Sequence, residues 1–119
     1  MKKGFVFWQT PFLFYTPMYT IKIAHINEFK EQNVKIIIHN GTPIAVIKVE
    51  NKFYAIDNRC PHRGASLGEG PIQNEIITCK WHSWKFSIKT GQAIENTNCF
   101  LKTFPIIVEG EMIKLVYDS

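Results

Sequence analysis

Two pairs of metal-binding side chains constrain this chain more than anything else in it. They are Cys60-Pro61-His62 and Cys79-Lys80-Trp81-His82, separated by the sixteen residues 63–78. Thiolates and neutral imidazoles are ligands for transition metals. If both pairs serve one centre, the fold must bring two loops to a common point. The surroundings fit loops: residues 57–70 have little strand pattern and contain Pro61, Gly64, Gly68 and Gly70. A long irregular stretch in a small domain is usually functional.

The rest of the chain reads as short strands and tight turns. Tyr19 to Ile26 alternates apolar and polar residues with the period of a half-buried strand. Asn27 to Glu31 fits a single helical turn with Asn27 as its cap. Val34 to Ile38 and Ile44 to Val49 are β-branched strands around an Asn40-Gly41 turn, and Glu50-Asn51-Lys52 leads into Phe53 to Ile56. Beyond the first loop, Ile76 to Cys79 and Trp84 to Ile88 read as strands, with Gly91 supplying a turn. Leu101 to Val108 and Met112 to Tyr117 read as a last hairpin across Glu109-Gly110-Glu111. No segment carries a sustained 3.6-residue apolar period, so the expected fold is all-β: an antiparallel sandwich or small barrel.

At 119 residues the chain is sized for one domain with its own core. Its net charge of +4 is spread without a basic stripe, which gives no reason to expect nucleic acid. The Lys2-Lys3 start and the following Phe5-Val6-Phe7-Trp8 are interrupted by Gln9, Thr10 and Pro11, too soon for a membrane span. We therefore expect no integral membrane segment. Residues 1–19, rich in aromatics, are expected to form an N-terminal extension whose rings cover an apolar flank or a neighbouring chain. Three cysteines placed near histidines suggest metal chemistry in a reducing, cytoplasmic setting more than a disulfide scaffold.

Two centres fit two thiolates and two imidazoles: a Cys2His2 zinc site, or a cluster whose irons carry unlike ligands. Structural zinc sites usually separate paired ligands by two or more residues. Cys60 and His62 have one residue between them. A [2Fe–2S] core is longer and can take cysteines at one end and histidines at the other.

The segments Cys60-Pro-His-Arg-Gly-Ala-Ser-Leu-Gly-Glu-Gly70 and Ile77-Thr-Cys-Lys-Trp-His-Ser-Trp-Lys-Phe86, followed by Gly91, resemble the two cluster loops of Rieske-type [2Fe–2S] ferredoxins. The resemblance extends over residues 20–119, taken as one Rieske domain. It implies a Rieske-type antiparallel β sandwich with two cluster-binding loops. It also implies that Cys60 and Cys79 hold the buried iron while His62 and His82 hold the outer one. Two ferric ions, two sulfides and two thiolates make a neutral site that becomes singly negative on reduction, a modest demand on a low-dielectric pocket.

Departures from the family refine this picture. Respiratory members link the two loops by a disulfide; the matching positions here are Ala65 and Trp81. Their serine and tyrosine donors to sulfur correspond to Trp84 and Phe86, so a low-potential, oxygenase-associated ferredoxin is implied. Trp81, Trp84 and Phe86 are expected as apolar cover for the cluster, and Gly64 as the residue that turns the first loop back. Lys80 and Ser83 stand where the family usually has proline and glycine. Arg59, Arg63, Lys80 and Lys85 surround the ligands, either as a solvated face or as a rim for an acidic partner. His25 and His39 are expected to be surface or structural histidines, and Cys99 a free thiol.

No dinucleotide fingerprint or second metal site is visible, so no catalytic residue is assigned. The expected role is a one-electron carrier between a ferredoxin reductase and a terminal oxygenase. The alternative is a small subunit or accessory domain of a larger redox enzyme such as a nitrite reductase.

Overall fold

The computed structural model describes residues 18–61, 64–81, 83–95 and 98–118. Phe5, Phe7, Trp8, Phe12, Phe14 and Tyr15, expected as aromatic cover, lie outside these residues, as do Arg63 and both motif histidines, His62 and His82.

The apolar run Ile44-Ala45-Val46-Ile47 organises the fold. All four residues are fully buried. They lie in β3 (Thr42–Val49), where successive side chains point to opposite faces. Ile44 and Val46 enter one core with Ala55, Ile113 and Leu115. Ala45 and Ile47 enter a second core with Ile56, Leu67, Ile77 and Phe86. A strand covered on both faces must be apolar without alternation, which explains the unbroken run.

β3 sits between β2 (Val34–His39) and β4 (Lys52–Asp57), and β4 pairs with the short β8 (Thr103–Phe104). All these pairings are antiparallel. A second antiparallel sheet has the order β1-β10-β9, from β1 (Met18–His25), β10 (Met112–Asp118) and β9 (Ile106–Glu109). A third consists of β5 (Ile72–Gln73), β6 (Ile76–Thr78) and β7 (Lys85–Ser87). The two larger sheets and Phe29, from the turn after β1, supply the residues of the first core. The third sheet and the cysteine loops contribute to the second.

The expected antiparallel all-β fold is present, with local corrections. Leu101 to Val108 is not one strand. Pro105 separates β8 from β9, which belong to different sheets. Proline cannot donate to a ladder, but its carbonyl still accepts from Val116 N at 3.0 Å. The helical turn also starts earlier than expected: it is a 3-10 turn over Ile26–Phe29, capped by His25 and not by Asn27. His25 Nδ1 accepts from Asn27 N at 3.0 Å, while Glu28 Oε1 accepts from His25 N at 2.7 Å. The Asn40-Gly41 turn is as read. Both residues have positive φ, as a two-residue hairpin of this kind requires.

Glu28 connects this turn to β2 by accepting from the Lys35 ammonium. That bond, reinforced by the His25 backbone, holds its carboxyl below the usual carboxylate range. A carboxyl whose folded-state pKa is depressed stabilises the fold above its unfolded pKa, and the contribution fades as pH falls through the folded value. The Glu28→Gln variant should therefore be less stable than wild type at neutral pH, with the gap closing in acid. Denaturant midpoints measured across pH 2–7 check this; a constant gap would contradict it.

Candidate metal centre

Strand β4 runs directly into the first cysteine loop. Asn58, 7% exposed, anchors the transition. Its backbone N donates to Pro43 O at 2.8 Å, and its Nδ2 donates to Ser66 Oγ at 2.8 Å. Its Oδ1 accepts from Gly68 N at 2.7 Å, and its backbone O accepts from Leu67 N at 2.8 Å. One buried amide thus ties the start of the loop to its exit. No simple pattern in the sequence singles out this residue, because its partners lie eight to fifteen positions away.

The two cysteine loops close with the same backbone arrangement. In the first, Cys60 N donates to Ala65 O at 2.8 Å and Gly64 N donates to Cys60 O at 2.6 Å. In the second, Cys79 N donates to Trp84 O at 2.7 Å and Ser83 N donates to Cys79 O at 2.8 Å. Each cysteine therefore bonds to the residues four and five places ahead. The fourth residue has positive φ in both loops, +77° at Gly64 and +60° at Ser83.

Cys60 and Cys79 are 1% and 0% exposed and belong to the same buried cluster. The structure thus brings together two of the four expected ligands; the other two, His62 and His82, lie outside the described residues. Two interior thiols on matched loops suit a soft metal centre with a buried sulfur end. A shallow groove lined by Asp57, Arg59, Pro61, Phe100 and Lys102 reaches Cys60 from outside.

Of the three aromatics expected as cover, Phe86 is fully buried and Trp84 packs against the same core. Their ring centroids are 6.3 Å apart. Trp81 does not fit the expectation: it is 64% exposed at the tip of its loop. His25 and His39 make local structural contacts, one of the two roles expected of them. His25 caps the turn, and His39 meets Tyr117 edge-on with centroids 5.0 Å apart. Cys99 is half-buried against the second core.

Two of the rim's basic residues, Arg59 and Lys80, are paired with acids. Arg59 donates to both carboxylate oxygens of Asp57, at 2.9 and 2.7 Å. Partial burial pushes the Asp57 carboxyl up, but the Arg59 hydrogen bonds and charge outweigh it and hold the pKa low. Lys80 pairs with Glu69, and this hydrogen bond lowers the Glu69 pKa. Glu75 accepts from Tyr54 Oη at 2.7 Å, which pushes the phenol's pKa up.

The left-handed backbone has opposite consequences in the two loops. Among the described residues nothing lies within 4 Å of a Cβ built on Gly64, so Gly64→Ala should cost mainly backbone strain, about 1 kcal/mol. Ser83 already bears that strain, so Ser83→Gly should stabilise by a few tenths to about 1 kcal/mol. Denaturant midpoints of the two variants should move in opposite directions; a shared direction would refute the strain argument.

The pattern of the Rieske [2Fe-2S] domain matches residues 19–105. The ferredoxin component of the alkene monooxygenase system of Xanthobacter autotrophicus is 41% identical over 68 residues, covering 56% of this chain and 56% of the relative. The ferredoxin component of the naphthalene 1,2-dioxygenase/salicylate 5-hydroxylase systems of a Ralstonia species is 31% identical over 96 residues, covering 80% of this chain and 92% of the relative. A chain from a solved complex of reduced oxygenase and oxidized ferredoxin in carbazole 1,9a-dioxygenase superposes with a TM-score of 0.71 at 26% identity, covering 80% of this chain and 99% of that one. With its two matched cysteine loops and a family pattern spanning most of its length, this chain belongs to the Rieske [2Fe-2S] domain family.

Proposed function

We propose that this chain is the iron–sulfur electron carrier of an oxygenase system, accepting single electrons from a reductase and delivering them to a terminal oxygenase. The observation that carries the reading is the pair of buried thiols, Cys60 and Cys79, opening loops with the same backbone closure. The kinship with ferredoxin components of monooxygenase and dioxygenase systems supports it.

In this reading Cys60 and Cys79 hold the inner iron, and His62 and His82 hold the outer iron. A [2Fe–2S] centre supplies a reversible one-electron step that makes and breaks no substrate bond. The protein's part is to hold the ligands rigidly and limit water around the sulfur end. Gly64 and Ser83 give the loops their turn, while Phe86, Leu67 and Ile77 fill the space beside the thiols. Exposed Pro61 and Trp81 lie on the ligand loops, where a partner can approach. The chain performs no catalysis of its own.

We assign residues 20–119 to the Rieske domain and residues 1–19 to an extension. The family match begins at residue 19 and β1 at Met18, so the last two residues of the extension already pair with β10. Among the described residues no helix is long and apolar enough to cross a membrane. We place the protein in the cytoplasm, where reductase and oxygenase would meet it.

Purified protein should be brown, contain two irons and two acid-labile sulfides per chain, and show a rhombic EPR signal when reduced. His62→Ala and His82→Ala should each abolish that signal or the cluster itself. An unchanged reduced spectrum in either variant would overturn the ligand assignment. Mixed with a reductase and a terminal oxygenase, wild-type protein should make substrate turnover depend on its concentration. Tight co-purification with a large redox subunit, without shuttling activity, would favour the accessory-domain alternative.

A further inference from the structure

Lys80 follows a cysteine assigned to the cluster and bears a positive charge. Its partner is not on the same loop. The ammonium donates to Oε1 of Glu69, eleven residues earlier, in the 3-10 turn (Leu67–Glu69) at the exit of the first loop. The other basic residue described beside a ligand, Arg59, is satisfied within its own loop by Asp57. Lys80 therefore makes a side-chain ion pair between the two loops.

The backbone beneath this pair is already in close contact. A Cβ built on Gly70 would lie 1.8 Å from Thr78 O, so the first loop's exit presses directly on the residue preceding Cys79. Thr78 N also donates to Pro71 O at 3.0 Å. The Lys80–Glu69 pair closes outside that contact, between the residues flanking it. Both side chains are substantially exposed, at 44% and 57%, so the pair adds little to global stability. Its consequence is local, in the spacing of two loops and the charge beside the site.

We propose that Lys80 and Glu69 form a charge-neutral clasp that joins the two ligand loops and cancels the lysine's effect on the cluster's reduction potential. This inference rests on the cluster reading above. A centre that gains negative charge on reduction is stabilised in its reduced form by an uncompensated cation nearby and destabilised by an uncompensated anion. Glu69→Gln leaves the cation alone, and Lys80→Met leaves the anion alone. The two substitutions break the same contact but shift the potential in opposite directions, which a merely structural role would not do. Lys80 and Glu69 are positioning residues, acting on the site through the loop backbones and through charge.

The test uses loaded full-length protein as wild type, Glu69→Gln, Lys80→Met and the charge-swapped double variant Glu69→Lys/Lys80→Glu. EPR-monitored redox titration gives the midpoint, and bleaching by a chelator gives the rate of cluster loss, each at low and high salt. The midpoint should rise in Glu69→Gln and fall in Lys80→Met. Both single variants should lose the cluster several-fold faster at low salt, and the swap should restore retention. High salt should shrink the differences, because exposed charges are screened. Midpoint shifts of the same sign in the single variants, or retention in the swap no better than in them, overturn the clasp. A wild-type protein without iron–sulfur signal overturns the cluster reading and this inference together; a normal signal indifferent to all substitutions overturns the clasp alone.

Discussion

Burial of β3 on both faces is the constraint from which the site follows. Ile44 and Val46 pack toward the outer sheet, while Ala45 and Ile47 pack toward the layer that carries the cysteine loops. Full burial of a large aliphatic side chain is worth about 1.5–3 kcal/mol, and truncation to alanine in such a place costs roughly 2–5 kcal/mol. The strand cannot slip by one residue without exchanging the two sets. Its neighbour β4 is thereby fixed in register, with Ile44 opposite Asp57. Three residues beyond Asp57 is Cys60. The position of the first thiol is thus set by packing in the middle of the molecule.

Those magnitudes also explain why the second loop tolerates Ser83. A non-glycine residue in the left-handed region costs about 1–2 kcal/mol. The residues behind the loop, including Ile77, Phe86 and Ile88, are essentially unexposed. Their combined burial outweighs one strained residue several-fold, so the loop keeps the backbone closure that glycine gives its counterpart. Packing dictates the loop's shape, and local preference is overridden at a single position.

Much of this was legible in the chain itself. Cysteine–histidine spacing is a local property, and it located both loops. Asn40-Gly41 announced its hairpin because those residues favour positive φ. What stayed hidden depended on contacts distant in sequence. Leu101 to Val108 looks like one strand until Pro105 is seen separating segments that join different sheets. The two-residue β5 has no pattern of its own and exists through pairing with β6. His25 caps a turn through its ring nitrogen, a role usually taken by shorter polar side chains. Trp81 reads as apolar cover from its place in the motif, yet it is 64% exposed.

The charges beside the ligands show the same limit in another form. Counting Arg59, Arg63, Lys80 and Lys85 against Asp57, Glu69 and Glu75 suggests a surface of mixed charge without saying which charges meet. Arg59 and Asp57, two residues apart, could be paired on spacing alone. Lys80 and Glu69 could not, because their contact exists only once both loops have converged over Gly70 and Thr78. A site assembled from two loops has an electrostatic environment that neither loop contains by itself. The residues assigned to bind metal are therefore easier to read from the sequence than the residues that tune it.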